Sequence, residues 1–239
     1  MNSPRKLLVV GAHSADFVWR AAGTIATLTA RGGSVHVVAL SYGERGESGE
    51  LWKDPGQTVE NVKRIRHEEA LRAASAVGAS FQCFDLGDYP LQLDGPAVER
   101  LTDLIREVAP DVIVTHTDLD PFNPDHPVAS AAVQRARILA SGAGVASGFV
   151  TIKPPELFLF EPHQPELCGF MPTTFVDISE AFPRKQQAMD AMAAQAYLRQ
   201  YYTEQAEHRA NHARRISGSK DIRYAEAFQR VLPQVVATL

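Results

Sequence analysis

The segment Leu7-Leu8-Val9-Val10-Gly11-Ala12-His13-Ser14-Ala15-Asp16 decides how the rest of the chain is interpreted. Four consecutive apolar residues followed by glycine are typical of a buried parallel strand that ends in a tight turn. His13 and Asp16 follow this strand directly, and the ligands of open α/β sheets bind at the carboxyl ends of the strands. A polar turn is the simpler interpretation, but the two side chains are also potential metal ligands.

A second strand end of the same kind lies further along the chain. Residues 111–116 (DVIVTH) again read as a buried strand, and a loop rich in Asp, Asn, Pro and His leads from it to a helix at residues 128–139. Loops at the carboxyl ends of neighbouring strands can converge. A histidine from this loop would complete a site with open positions, as a catalytic zinc ion requires.

The order of the predicted elements indicates an α/β protein with a Rossmann-like, mostly parallel sheet and helices on both faces. A chain of 239 residues, 45% of them hydrophobic, fits a single domain over residues 1–239. The predicted elements are strands at 7–10, 34–40, 80–86, 111–116, 156–161, 173–179 and 224–231, and helices at 17–31, 58–77, 97–108, 128–140, 184–202 and, continuing the last one, 204–216.

Composition excludes several classes of partner. The net charge of −4 gives no basic surface for nucleic acid, and no apolar run approaches the ~18–20 residues of a membrane span. The short apolar run after residues 1–6 does not predict a signal peptide. Two cysteines, Cys83 and Cys168, are too few for a disulfide framework, so we expect a cytoplasmic protein.

A long polar loop, residues 41–57, follows the second predicted strand and contains three glutamates. Long loops at this edge of a sheet are usually functional or disordered. Among these glutamates we choose Glu47, rather than Glu44 or Glu50, as a proton-transfer group. Arg45 could bind a substrate carboxylate in a bidentate pair. A mobile solvated loop is the alternative.

Three further polar residues near the predicted strand ends are given roles, and one helix is expected to be charged on its outer face. His163 follows the predicted strand at 156–161 and is a candidate acid or base, or a contact to a substrate oxygen; a surface histidine is the alternative. Asp118 is expected to orient a metal ligand, whereas His116 is expected to belong to the strand end. In the helix at 58–77, most of the charged residues are expected to face solvent, namely Arg64, Arg66, His67, Glu68 and Glu69.

Four stretches occur in the same order as the motifs of a known family. They are Ala12-His13-Ser14-Ala15-Asp16-Phe17, Gly43-Glu44-Arg45-Gly46-Glu47, Asn123-Pro124-Asp125-His126 and Phe175-Val176-Asp177-Ile178-Ser179. The sequence resembles the LmbE/PIG-L superfamily of zinc-dependent N-deacetylases from about residue 6 to about residue 217. That family carries Ala-His-Pro-Asp-Asp-Glu at the first stretch and His-Pro-Asp-His at the third.

The resemblance implies that His13, Asp16 and His126 hold zinc, with Asp125 supporting them. Two family residues are replaced. The general base of the family corresponds to Ala15, and its second catalytic histidine corresponds to Asn123. Alanine cannot take a proton from zinc-bound water, and general base catalysis is typically worth ~10²–10⁴-fold. The metal ligands are therefore kept while the machinery for amide hydrolysis is altered.

These departures suggest other zinc chemistry. The sequence looks like one branch of the superfamily, the 4-oxalomesaconate hydratases of gallate breakdown, which add water to a carbon–carbon double bond. That resemblance implies a small tricarboxylate substrate, with Glu47 and His163 sharing the proton transfers. Arg45, Arg20 and Asn123 would then bind the substrate. We also expect a homo-oligomer, in which arginines of a neighbouring copy could contribute.

Two other functions stay open at this stage. One is an N-deacetylase of a small acetylated sugar or amine, in which Glu47 substitutes for the lost aspartate. The other is a catalytically inactive relative that keeps its zinc ion and binds a ligand. Ala15 argues against the deacetylase, and the retained set of metal ligands argues against the inactive relative.

Overall fold

Seven strands form one sheet in the computed structural model, which describes residues 5–236. The strands are β1 (Lys6–Gly11), β2 (Ser34–Ala39), β3 (Ser80–Cys83), β4 (Val112–Thr115), β5 (Glu156–Phe160), β6 (Thr174–Asp177) and β7 (Ala225–Arg230). The helices are α1 (Asp16–Ala30), α2 (Val59–Val77), α3 (Gly95–Val108), α4 (Asp125–Leu139), α5 (Phe182–Asp190) and α6 (Leu198–Ser217). The expectations for residues 1–4 and 237–239 lie outside the described residues.

The strand order is β3-β2-β1-β4-β5-β7-β6. β1 to β5 run parallel, and β7 runs antiparallel to both β5 and β6. This arrangement confirms the predicted Rossmann-like, mostly parallel sheet. The order of the strands reverses between β1 and β4, and a crevice for ligands opens at such a switch point outside the carboxyl ends of the strands.

Helices cover both faces of the sheet, and β1 shows why its apolar run is continuous. Leu7 and Val9 pack into a core with α1, α2 and α5, whereas Leu8 and Val10 pack into a second core with α3 and α4. Successive strand residues point to opposite faces. A strand with a core on each face therefore needs apolar residues at every position.

The prediction that α2 turns most of its charged residues to solvent is wrong for Arg66 and Glu69. Both are buried, and Arg66 Nη1 lies 2.8 Å from Glu69 Oε2. Glu69 also accepts a hydrogen bond from the backbone N–H of Ala194. The segment at residues 191–197 covers this side of α2, and the buried charges are stabilised by pairing.

The helix predicted to continue from residue 184 to residue 216 is broken. α5 ends at Asp190 and α6 begins at Leu198, with a short 3₁₀ helix at Ala193–Gln195 between them. Met192, Ala194 and Gln195 are buried in this break. No glycine or proline marks it in the sequence, so helical spacing alone predicted continuity. Within residues 5–236, no helix has the length and apolar character needed to cross a membrane.

Candidate functional site

A cavity of about 310 Å³ opens at the carboxyl ends of β1 and β4, at the switch point of the sheet. Its wall includes most of the side chains that the sequence singled out, from four separate parts of the chain. These are His13, Asp16, Arg20, Glu47, Asn123, His126 and His163. The fold therefore brings the strand-end loops together as the sequence predicted.

The turn after β1 fixes the first two of these side chains. A Cβ atom at Gly11 would lie 2.9 Å from the Cβ of Asp16, so only glycine fits this close approach. The backbone N–H of His13 donates to Asp16 Oδ2 over 2.7 Å. Arg20, one turn along α1, donates from Nη1 to Asp16 Oδ1 over 2.8 Å. The Asp16 carboxylate is thus oriented before any ligand binds.

His13, Asp16 and His126 form a three-residue group whose ligand atoms all lie within 4.8 Å of one another. His13 Nδ1 is 3.7 Å from Asp16 Oδ2, and His126 Nε2 is 3.7 Å from Asp16 Oδ1. Both ring nitrogens are buried without a hydrogen-bond partner among residues 5–236. Bonds of ~2.0–2.2 Å to a tetrahedral ion separate its ligands by roughly 3.5 Å, so the group fits zinc.

The other nitrogen of each histidine faces a carboxylate. His13 Nε2 lies 3.2 Å from Asp125 Oδ2, and His126 Nδ1 lies 2.8 Å from Asp120 Oδ2. An N–H donated to a carboxylate leaves the opposite ring nitrogen free to bind a metal. These two contacts therefore select the tautomers that present His13 Nδ1 and His126 Nε2 to the site.

Asp118, which we expected to orient a ligand, does not do so. It is exposed and accepts hydrogen bonds from Ser130 Oγ and Gln134 Nε2, both over 2.6 Å. Both donors lie on α4, and neither is a candidate metal ligand. Asp120, two residues further along the same loop, fills the expected role instead, and the backbone N–H groups of Phe122 and Asn123 fix its carboxylate.

His116 belongs to the site, contrary to the expectation that it only ends the strand. Its Nε2 lies 3.0 Å from Asp16 Oδ2, and its ring stacks on that of His126 with centroids 3.9 Å apart. Burial lowers the pKa of His116, although Asp16 opposes that shift. From the end of β4, His116 contacts both Asp16 and His126 and is placed to hold these two side chains in position.

The charges of the site prepare two of the three candidate ligands for a cation. Burial alone would raise the pKa of Asp16, but the His116 ring and the Arg20 guanidinium hold it well below its ordinary value. Burial and the adjacent His116 ring lower the pKa of His126 well below its ordinary value. Asp16 is therefore ionised and His126 neutral, and these are the forms that bind metal.

His13 differs, because its pKa moves upward. Burial alone would lower this pKa, but the hydrogen bond to Asp125 and the negative charges of Asp16 and Glu47 raise it to about 8. His13 is therefore mostly protonated at neutral pH when no cation is bound. A metal ion must displace that proton in order to bind.

Glu47 is the glutamate of the 41–57 loop that faces the cavity. Its Oε1 accepts from Asn123 Nδ2 over 2.7 Å and lies 4.0 Å from His13 Nδ1, and its Oε2 accepts from Gln195 Nε2 over 3.0 Å. Glu44 is buried near Arg45 and Lys63, whereas Glu50 is exposed and paired with Lys53. Neither of those glutamates lines the cavity.

The two arginines proposed to bind substrate are placed differently. Arg45 does not line the cavity: it is half exposed, and its Nη1 donates to the carbonyl oxygen of Asp88 over 3.0 Å. The Asp88 carboxylate accepts the N–H of Arg45 itself and holds this backbone on the outer side of the loop. Arg20 does line the cavity, and its buried Nε has no partner among residues 5–236.

His163 lies on the cavity wall, half buried. Its Nδ1 is 3.0 Å from the hydroxyl of Tyr202, and its ring stacks on Tyr201 with centroids 4.2 Å apart. Burial, together with the positive charge of Arg20, lowers the pKa of His163 to about 4. In the free protein this histidine is therefore neutral at neutral pH.

Sequence reasoning missed several residues of the cavity wall. Trp19 and Tyr202 stack with ring centroids 5.5 Å apart, and Gln195 joins them from the break between α5 and α6. Trp19 lies on the same face of α1 as Asp16 and Arg20, so helical spacing could have found it. No signal in the sequence distinguishes Gln195 from the other glutamines of its segment.

Comparison with known proteins gives related enzymes. A model of the PIG-L family, described as GlcNAc-PI de-N-acetylase, matches residues 8–137. The 4-oxalmesaconate hydratase of Pseudomonas putida KT2440 is 46% identical over 243 residues, covering 100% of this chain and 94% of that protein. The crystal structure of GalB, the 4-carboxy-2-hydroxymuconate hydratase of P. putida KT2440, has a TM-score of 0.96 at 45% identity, covering 98% of this chain and 99% of that one.

A more distant structure shares the fold. The N,N'-diacetylchitobiose deacetylase of Pyrococcus horikoshii has a TM-score of 0.78 at 19% identity, covering 94% of this chain and 83% of that one. At this identity the likeness concerns the fold alone. The fold is thus common to deacetylases and hydratases, and the side chains in the cavity must distinguish them.

Proposed function

The chain belongs to the PIG-L family, and on that premise we propose that it is a metal-dependent hydratase acting on 4-oxalomesaconate. Water adds to the carbon–carbon double bond and gives 4-carboxy-4-hydroxy-2-oxoadipate, a step in the catabolism of gallate-type aromatic acids. The hydroxyl group joins the alkene carbon that bears the side carboxylate, and a proton joins the neighbouring carbon. The enzyme is therefore a hydro-lyase.

The observation that carries this proposal is the likeness to the two P. putida hydratases along the whole chain. Their names refer to the keto and enol tautomers of one tricarboxylic acid, so they agree on the substrate. Ala15 lies in the cavity wall next to Asp16 and offers no proton acceptor. A site without that acceptor suits hydration better than the amide hydrolysis of other family members.

His13, Asp16 and His126 would hold the metal ion, for which zinc is our proposal. When bound, zinc supplies a positive charge that polarises oxygen atoms and favours the ionised form of water. The carboxylates Asp125 and Asp120 keep the two histidines in the tautomers that this role needs.

Arg20 would bind a carboxylate of the substrate. Its Nη1 is occupied by Asp16, but its buried Nε remains available beside the cavity. Arginine offers donors in a fixed planar fork that matches a carboxylate. Within residues 5–236, Arg20 is the one arginine or lysine of the cavity wall, whereas the substrate has three carboxylates. We therefore also propose a homo-oligomer whose second copy supplies further positive charge.

Glu47 and His163 would divide the proton transfers. Glu47 accepts hydrogen bonds from two amides, which hold its carboxylate at the cavity, and so it is placed to take a proton from water. His163 is neutral in the free protein, but an anionic substrate beside it favours the imidazolium form. His163 can then deliver a proton from Nε2, while its Nδ1 stays on the Tyr202 hydroxyl.

Location is a separate proposal. Cys83 and Cys168 are both free thiols. Unpaired cysteines are usual in a reducing compartment, and we propose the cytoplasm. The catabolic role is compatible with that compartment.

The test is a direct assay of the zinc-loaded protein. Loss of the conjugated chromophore of 4-oxalomesaconate is followed next to the release of acetate from a panel of N-acetyl amines. We expect chromophore loss without acetate release. Acetate release without chromophore loss would overturn the hydratase proposal in favour of a deacetylase. The variant Ala15→Asp sharpens the result, because only a site of the deacetylase kind should gain amidase activity from it.

A further inference from the structure

We infer that Gln195 is a positioning residue that fixes the carboxylate of Glu47, and that Arg66 determines which end of the Gln195 amide faces Glu47. This inference rests on the proposed function, in which Glu47 handles the protons. Gln195 comes from the break between α5 and α6, and it lies 148 residues from Glu47 in sequence. No motif of the sequence contains it.

The contacts of Gln195 use both ends of its amide. Nε2 donates to Glu47 Oε2 over 3.0 Å, and Oε1 accepts from Arg66 Nη2 over 2.8 Å. Trp19 Nε1 also donates to Oε1, over 3.3 Å. Gln195 itself is 2% exposed, so water is not available to replace these partners.

Two of these partners make the orientation of the amide obligatory. The guanidinium of Arg66 and the indole N–H of Trp19 can only donate hydrogen bonds. Both face the same end of the Gln195 side chain, so that end must be the carbonyl oxygen. The NH₂ group is therefore directed at Glu47, and turning the amide over would set donor against donor at Arg66 and acceptor against acceptor at Glu47.

The buried guanidinium of Arg66 has a second partner besides Gln195, the carboxylate of Glu69. Its Nη1 pairs with Glu69 Oε2, and Glu69 Oε1 accepts the N–H of Ala194, the residue before Gln195. All four groups are buried. The ion pair therefore ties α2 to the segment that carries Gln195, and makes that segment a rigid support for Glu47.

Glu47 needs such support, because its own loop is irregular. Asn123 holds Oε1 and Gln195 holds Oε2, from opposite parts of the chain. Two donors on two oxygens fix the plane of the carboxylate and leave its remaining lone pairs to meet a proton. Misplacing a reacting group by 1 Å can cost ~10²-fold in rate.

The experiment compares Gln195→Met and Gln195→Glu in the full-length, zinc-loaded protein. We expect both to lower kcat by ~10–100-fold while KM changes little, because Glu47 acts on a proton and not on substrate binding. Glu at position 195 keeps the contact with Arg66 but puts a carboxylate against Glu47. Gln195→Glu should therefore lower kcat more than Gln195→Met, whichever variant melts at the higher temperature.

A second variant tests Arg66 without touching the cavity. Arg66→Met combined with Glu69→Gln removes the ion pair, keeps an acceptor for the Ala194 N–H and leaves no buried charge unpaired. We expect a smaller fall in kcat, ~10-fold, at unchanged KM. Arg106→Met is the matched control, since Arg106 is also a buried arginine but donates to backbone carbonyls such as that of Ala140. It should lower Tm and leave kcat unchanged.

Crystal structures of the wild type and Gln195→Met complete the test. The carboxylate of Glu47 should leave its wild-type position in the variant. Three results would each overturn the inference. The first is a wild-type kcat in both Gln195 variants, and the second is a fall in kcat that parallels the fall in Tm in all variants, including Arg106→Met. The third is a Glu47 carboxylate that stays in its wild-type position. If the wild type does not hydrate 4-oxalomesaconate, the proposed function fails, and the position of Glu47 in the two crystal structures still decides whether Gln195 positions it.

Discussion

The two sides of the cavity are built in different ways. The side proposed to hold the metal consists of His13 and Asp16, directly after β1, and His126, in the first turn of α4 after β4. A carboxylate faces the outer nitrogen of each histidine. The side proposed to transfer protons consists of Glu47 and His163, which reach the cavity from separate loops. The candidate metal ligands match the family motif, whereas Ala15, next to Asp16 in the same turn, stands where the motif has its base.

Metal binding and proton transfer place different geometric requirements on the residues that perform them. A metal ion requires three ligand atoms at distances set to a few tenths of an ångström, so its residues need rigid attachment to the strands and helices around them. A proton-transfer group needs only to reach the reacting atoms from one direction. Under the proposed function, such a group is absent at position 15 and is supplied from other loops, so that the same metal site serves a different reaction.

The largest effect is expected from removing one of the three candidate metal ligands. Asp16→Ala should abolish stoichiometric zinc binding and reduce hydration to background, since losing even an outer partner of a ligand costs ~10–100-fold in affinity. Metal content by elemental analysis and kcat/KM check this. Asp118→Ala is the control and should behave as the wild type, because Asp118 is exposed and its carboxylate accepts from Ser130 and Gln134, neither of which is a candidate metal ligand. Zinc retained by Asp16→Ala would place the metal elsewhere.

Substitution of Glu47 should affect proton transfer without affecting metal binding. Glu47→Gln should lower kcat by ~10²–10⁴-fold, because the amide cannot accept the proton, while the zinc content stays equal to that of the wild type. Steady-state kinetics and metal analysis of the same preparation measure both quantities. A variant that loses zinc along with activity would show that Glu47 belongs to the metal side.

The third and smallest effect concerns pH. The pKa of His13 is raised to about 8 in the metal-free protein, so protons compete with zinc below that pH. The apparent zinc affinity should fall by up to ~10-fold for each pH unit from 8 downwards, and change little above 8. Competition titrations with a chelator at several pH values test this.

A substitution at Asp125 should change the pH dependence of zinc binding. Asp125→Asn removes the carboxylate whose hydrogen bond contributes most to raising the pKa of His13. The pKa of His13 then falls, and the affinity should stop changing at a lower pH than in the wild type. An unchanged profile in this variant would mean that another group competes with zinc.

The central part of the fold and the first two candidate metal ligands were accessible from sequence because local rules govern them. A continuous apolar run before Gly11 identifies β1, since a strand covered on both faces tolerates no polar residue. His13 and Asp16 then follow in the same turn. The rule that parallel strands end at one edge also points to the loop after β4, but it was the resemblance to the family that selected His126 within that loop.

The remaining residues depend on packing that no local pattern reports. Asp118 and Asp120 are two residues apart in one loop, and the Ser130 and Gln134 side chains of α4 decide that Asp118 turns outward. Arg66 looks like a surface residue until the 191–197 segment covers it. Gln195 lies in a helix break without glycine or proline, and only the tertiary structure shows where it points.

The strand order also has a consequence for how the site comes into being during translation. His13 and Asp16 emerge early, but β4 must lie beside β1 before Asp125 and His126 can reach them, and Asp125 follows His13 by 112 residues. At ~5–20 residues per second, a ribosome needs roughly 6–22 s to cover that distance. The nascent chain therefore carries a two-ligand fragment for that interval. Only later, with Gln195 in place, is the proposed metal site complete and the Glu47 carboxylate held by both of its amide partners.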